Sequence, residues 1–280
     1  MAGGEALIRA ALVMGLAAAG LMGCAVAPPV RPSPPTSLAL VPELVKGTGV
    51  LIGYLDPKDL PDSAALLPPP PVLGSPAAAA DEAAHRALSA YRATTRWQRA
   101  AADAELLKWP QAVATFGCAL GMPITESATP HLTMLLRRTL GDAGLATYAA
   151  KQRYQRARPF VQLKEPLCTP ADETLLAKDG SYPSGHASVG WAWGLILTEL
   201  APDRAGALIQ RSLDYGTSRM VCSVHWASDV EAGRLIGAAT VARMRADPVF
   251  QRQSELARAE VAAARANAVR PAADCAELPG

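Results

Sequence analysis

Three short segments hold the residue types that could do chemistry. The first is Lys151-Gln-Arg-Tyr-Gln-Arg-Ala-Arg158-Pro159. Lys151 and Arg158 are seven positions apart, two helical turns, so a helix would put both on one face. Two cations there with no carboxylate between them invite an anion. The plainer reading is a solvated basic helix end, which Pro159 would stop. The second segment is Gly180-Ser-Tyr-Pro-Ser184-Gly185-His186-Ala-Ser188. If Pro183 or Ser184 opens a helix, the N–H groups of Gly185 and His186 are left free. A helix N-terminus with a serine hydroxyl is then a ready anion site. Gly185 lets a ligand approach the backbone closely. The alternative is a serine cap beside a surface histidine. The third segment runs from Ser218-Arg219 to His225-Trp-Ala-Ser-Asp229. On a helix His225 and Asp229 share a face, so the carboxylate could fix the imidazole tautomer and leave the other nitrogen basic. An ordinary i,i+4 pair has the same spacing.

Taken together, the segments supply two histidines, one of them oriented by an aspartate, and three cations. That set suits phosphoryl transfer without a metal. Cations hold the nonbridging oxygens, one imidazole attacks phosphorus and the other protonates the leaving oxygen. A zinc site at His225 and Asp229 would need a third ligand, and His85 and His131 lie in unrelated segments. Metal and cofactor are therefore expected to be absent from the chemistry.

The elements that must position these residues read as helices. Ala77–Lys108 is alanine-rich with scattered charges, and His131–Arg158 carries leucines at helical spacing. Gly185–Leu200 is almost wholly apolar, which predicts a helix buried on all sides. Ala205–Ser218 and Ala227–Ala246 follow, and Pro248 opens a last helix to about Asn267. Thr48–Pro76 reads as irregular, with a polyproline-like run at Pro68–Pro71. Strand signals are scarce. The expectation is a single all-α bundle over residues 45–270, with the site between helices and a tail at 271–280.

Half of the 280 residues are hydrophobic and 19% are charged, enough for a sizeable core and too apolar for wholesale disorder. A net charge of +2 gives no basic excess for a nucleic acid polymer. Upstream of the body, Arg9 precedes an apolar run from Ala10 to Met22, too short to span a bilayer. It ends Leu21-Met22-Gly23-Cys24, which resembles a bacterial lipobox. Residues 1–23 are thus expected to be a lipoprotein-type signal, with lipidation of Cys24 as the only membrane contact. A plain secretory signal and an uncleaved apolar N-terminus are the other readings. Residues 24–44, rich in proline, read as a tether. Export to the periplasm permits two disulfides among Cys118, Cys168, Cys222 and Cys275, with three connectivities open.

The combined pattern Lys-x6-Arg-Pro, Pro-Ser-Gly-His and Ser-Arg-x5-His-x3-Asp resembles the type 2 phosphatidic acid phosphatase/vanadium haloperoxidase superfamily. Within it, Leu66-Leu67 with its four prolines and Gly180-Ser-Tyr-Pro-Ser-Gly-His are similar to the class A bacterial nonspecific acid phosphatases. The resemblance spans about Gly53 to Ala259. It implies His225 as the nucleophile, His186 as general acid and then base, and Asp229 as the group orienting His225. It also implies a phosphate grip from Lys151, Arg158, Arg219, Ser184 and the Gly185 N–H. Small phosphate monoesters are the implied substrates, with nucleotides among them, and a homodimer is compatible with the family. Phosphotransfer to an alcohol would be a side activity. A vanadium-dependent haloperoxidase could use the same pocket, although the chain is short for one. A non-catalytic lipoprotein binding phosphorylated ligands would not need both histidines. Three cations should depress both imidazole pKa values and Asp229 should raise that of His225, which predicts a bell-shaped, acidic pH profile.

Overall fold

The computed structural model describes residues 32–267 and Cys275. The apolar run at 10–22 and Cys24 lie outside the described residues. In chain order the helices are α1 (Ser63–Leu66), α2 (Pro76–Leu88), α3 (Thr95–Ala102), α4 (Gln111–Leu120), α5 (Pro130–Leu145), α6 (Tyr148–Tyr154), α7 (Pro159–Leu163), α8 (Glu173–Leu176), α9 (Gly185–Leu200), α10 (Ala205–Val221), α11 (Ala227–Met244) and α12 (Pro248–Ala266). Among the described residues the one extended pairing is an isolated bridge, Glu43 to Leu51. The all-α class is the observed one.

Proline sets many of the helix starts. Pro76, Pro130, Pro159 and Pro248 each sit in a first turn, where the missing N–H costs nothing. Asp247 adds a side-chain cap to α12, accepting from the N–H groups of Val249 and Phe250. Pro159 therefore opens α7 rather than merely ending the helix before it.

Helix α9 is the hub. It packs against α10, α11 and α5, while α12 closes over α5. Ala192, Trp193 and Leu197 are fully buried, and the Trp193 indole donates to the Leu136 carbonyl at 2.9 Å. Trp191, Leu195 and Glu199 form a half-exposed stripe, so α9 is buried on most sides rather than all. Its approach to α11 depends on two glycines one turn apart. A Cβ on Gly233 would lie 2.3 Å from the Ser184 carbonyl oxygen, and one on Gly237 would lie 2.3 Å from that of Ser188. With no side chain there, the N-terminal ends of α9 and α11 meet. A 2.9 Å bond from the Ser184 N–H to the Asp229 carbonyl locks them.

Two predicted helices are broken. The 77–108 pattern divides into α2 and α3 with a turn between, and the 131–158 pattern divides into α5 and α6. At the second break the Thr147 hydroxyl donates back to the Gly144 carbonyl, a local bond that competes with helix propagation. Helix α6 then ends at Gln155, whose φ of 42° is left-handed. Helices α4 and α7 carried no signal that singled them out.

The cysteines pair as Cys118–Cys275 and Cys168–Cys222. The second ties the stretch after α7 to the C-cap of α10. Cross-links over loops this long restrict the unfolded chain by about 4–5 kcal/mol in the chain-entropy account. Val41, within the stretch read as tether, is buried with Leu51 and Met134.

Candidate active site

A cavity of about 420 Å³ opens where α5, α6, α9 and α10 converge. Lys151, Arg158, Gly185, His186, Arg219 and His225 all line it. Ser184 and Asp229 stand behind its wall, both fully buried. The three sequence segments are therefore brought to one place.

They arrive by routes other than the spacing suggested. Lys151 is on α6, but Arg158 lies past the left-handed Gln155, as the N-cap of α7. The two cations do not share a helical face. Nor do they stand without a carboxylate. The Asp179 carboxylate accepts from Lys151 Nζ at 3.2 Å and Arg158 Nη2 at 2.8 Å. Similarly, His225 precedes α11, whose N-cap is Trp226. Asp229 is the third helical residue, and its carboxylate accepts the Trp226 N–H at 2.8 Å. This N-terminal cap, not an i,i+4 ridge, carries Asp229 Oδ2 to 3.5 Å from His225 Nδ1.

The bonds assign the tautomers. Arg158 Nη1 lies 3.1 Å from His225 Nε2, and a guanidinium can only donate. Nε2 therefore offers a lone pair, and the proton of the neutral ring is on Nδ1, toward Asp229. His186 Nε2 lies 3.0 Å from the Ala104 carbonyl, which can only accept. That nitrogen carries its proton, which leaves Nδ1 as the position for a second.

The cations differ in how they are occupied. Arg158 is tied by Nε to the carbonyls of Leu176 and Asp179, and by Nη1 to that of Val224. Lys151 also donates to the Gly180 carbonyl. Arg219 is buried, yet among the described residues its Nε and Nη1 have no hydrogen-bond partner. Ser184 caps α9 through a 3.3 Å bond from the Ala187 N–H, which leaves its hydroxyl proton to donate.

Burial dominates the electrostatics. It pushes the His225 pKa well below the ordinary value, and Arg158, Lys151 and Arg219 add to the effect. Asp229 does not reverse this, because its carboxylate is engaged by Arg156, Ser181 and the Trp226 N–H. His186 is likewise held far down, by burial and then Arg219. Burial and Arg158 bring Lys151 down to about 8, and burial brings Arg219 to about 10, so both remain charged in acid.

Residues that the motifs did not single out complete the site. Arg156 donates from Nη1 to Asp229 Oδ1 at 2.6 Å and from Nη2 to Asp81 Oδ2 at 2.7 Å. Asp81, on α2, also accepts the Ser228 N–H at 2.9 Å. Arg156 was in view within the first segment, but Asp81 lies in a distant alanine-rich helix with no local signal. Among the described residues no group of three or more His, Cys, Asp or Glu side chains is placed to hold a metal ion. His85 pairs with Glu165 and His131 with Gln253. The arrangement can hold a tetrahedral anion between cations and backbone N–H groups, with a basic nitrogen on one side and a proton donor on the other.

Known proteins are similar to this chain in sequence. The PAP2 superfamily profile matches residues 131–252. An acid phosphatase of Zymomonas mobilis subsp. mobilis is 40% identical over 71% of this chain and 75% of its own length. A non-specific acid phosphatase of Providencia stuartii is 41% identical over 75% of this chain and 84% of its own. One from Salmonella typhimurium is 38% identical over 74% and 83% respectively.

Proposed function

Because the chain belongs to the PAP2 superfamily, alongside bacterial non-specific acid phosphatases, we propose that it hydrolyses phosphate monoesters through a phosphohistidine, without a metal. The observation that carries this reading is the buried Arg219 guanidinium. Among the described residues two of its nitrogens lack a partner, and it lies on the wall of the cavity that His225, Lys151 and Arg158 also line. A buried cation left with free donors is suited to an anion.

In the first step His225 Nε2 attacks phosphorus and the bond from phosphorus to the ester oxygen breaks. His186 gives its Nδ1 proton to that oxygen, so an alcohol leaves and the phosphoryl group stays on His225. In the second step the neutral His186 takes a proton from water as the water oxygen attacks phosphorus. The nitrogen–phosphorus bond breaks, inorganic phosphate leaves and His186 is protonated again. Lys151, Arg158, Arg219, Ser184 and the Gly185 N–H hold the three equatorial oxygens.

The pH dependence follows from the two imidazoles. Turnover needs a proton on His186 and none on His225. Both pKa values are pushed below the ordinary 6.5, so in the free enzyme the His186 proton is gained only as pH falls below that value. His225 stays neutral into the acid range for the same reason. We expect kcat/KM for phenyl phosphate to be bell-shaped with its maximum below pH 6.5 and to be unchanged within about twofold by excess EDTA. A flat profile from pH 4 to 9 with chemistry rate-limiting would overturn the acid–base assignment. Activity lost to EDTA and restored by a divalent metal would overturn metal independence. Phosphate binding without turnover would leave a phospholigand-binding protein.

We also place the protein outside the cytoplasm, in the periplasm and anchored through Cys24. Its two disulfides support an oxidising compartment. Labelled palmitate should enter the full chain in a bacterial host and not the Cys24→Ser variant. Equal labelling of the two would refute the anchor.

A further inference from the structure

The cavity lining is charged at Lys151, Arg158, Asp179 and Arg219 and apolar at Leu106, Leu140, Leu175 and Val189. On the reading above, the leaving oxygen lies within hydrogen-bond reach of His186, which places the alcohol on the His186 side. The surroundings of that ring are defined. The α3–α4 link touches it through the Ala104 carbonyl, and two residues further on the same link puts Leu106 on the cavity wall. Val189, nearly one turn beyond His186 on α9, and Leu140 of α5 are lining residues as well. Both belong to the buried core.

The mouth is of the same character. Leu175 on α8 lines the cavity and is 71% exposed. Tyr148 lines it too and is 45% exposed, offering an aromatic face. Two polar groups of the lining are already engaged. The Thr147 hydroxyl proton is committed to the Gly144 carbonyl at 2.7 Å. The Asp179 carboxylate is committed to Lys151 and Arg158.

A leaving group rich in hydroxyls would give up its water here and find few partners. An apolar one would gain by leaving water. From this division of the cavity we propose that the enzyme selects phosphate monoesters of apolar alcohols, aryl or arylalkyl, over those of sugars and polyols. Leu106, Leu140 and Val189 form the leaving-group subsite, and Leu175 and Tyr148 form its rim. The proposal rests on the phosphatase reading and adds the substrate class to it.

The test compares two primary alkyl esters, 3-phenylpropyl phosphate and glycerol 1-phosphate, so that intrinsic reactivity is similar. With the full chain, kcat/KM for the phenylpropyl ester should be higher by about tenfold or more. Leu106→Asn should lower the ratio of the two kcat/KM values by about fivefold or more. Leu175→Asn, at an exposed position that folding does not depend on, should reduce it by about threefold. Equal kcat/KM for the two esters would overturn the proposal and leave the phosphatase reading intact. So would equal losses on both esters in both variants. Hydrolysis of neither ester nor phenyl phosphate by the folded chain would overturn both readings.

Discussion

Replacing His225 by alanine should reduce kcat for phenyl phosphate by about five orders of magnitude, because the attacking atom itself is removed. The fold should survive. Asp229 keeps its bonds from Arg156, Ser181 and the Trp226 N–H, and Arg158 keeps the Val224 carbonyl and Asp179. Inorganic phosphate should still bind, since Lys151, Arg158 and Arg219 are unchanged. Wild-type enzyme mixed briefly with labelled phenyl phosphate and quenched in base should carry acid-labile label on His225, and the variant should carry none. His186→Ala should cost less, about two to four orders of magnitude. That loss should be smaller for p-nitrophenyl phosphate, whose leaving group needs little protonation. A His225→Ala enzyme within about a hundredfold of wild type would mean that water, not the imidazole, attacks phosphorus.

Arg156→Met should impair both stability and turnover, although Arg156 is not among the residues that grip phosphate. Asp81 is 4% exposed and Asp229 is fully buried, and one guanidinium bridges them at 2.7 and 2.6 Å. Removing it leaves two buried carboxylates without their cation, which costs about 3–5 kcal/mol. Urea unfolding would register this as a lower midpoint. The effect on chemistry follows through Asp229, whose pKa is raised by burial and held back chiefly by Arg156. Without Arg156 it rises further, so Asp229 becomes neutral at a higher pH as acid is added. A neutral carboxyl no longer attracts the His225 Nδ1 proton from 3.5 Å away. Activity should then be lost from the acid side first and the optimum should move upward in pH, with kcat down about a hundredfold. Arg156→Lys keeps the charge but cannot fork to both carboxylates, so it should restore the acid limb more than the stability. An unshifted pH profile in both variants would reduce Arg156 to a structural brace.

The sequence alone determined what depends on local signals. Gly185–Leu200 reads as a buried helix from its apolar composition, and α9 has those bounds. Pro248 opens α12 as its fixed φ and missing N–H require. The three segments name the cavity residues by type, because cations, imidazoles and a glycine-bearing helix start can be recognised wherever they stand. Only the tertiary structure decided how these residues meet. Seven-residue spacing suggested that Lys151 and Arg158 share a helix face, yet the left-handed Gln155 and the start of α7 separate them. Four-residue spacing brought His225 and Asp229 together in either case, but through a helix cap. The choice among three disulfide connectivities, the Asp179 counter-charge and the Asp81–Arg156–Asp229 bridge had no local signature. Each depends on groups between 21 and 157 positions apart. Contacts of that kind are set by which helix faces pack, and here two bare glycines on α11 let that helix close against α9.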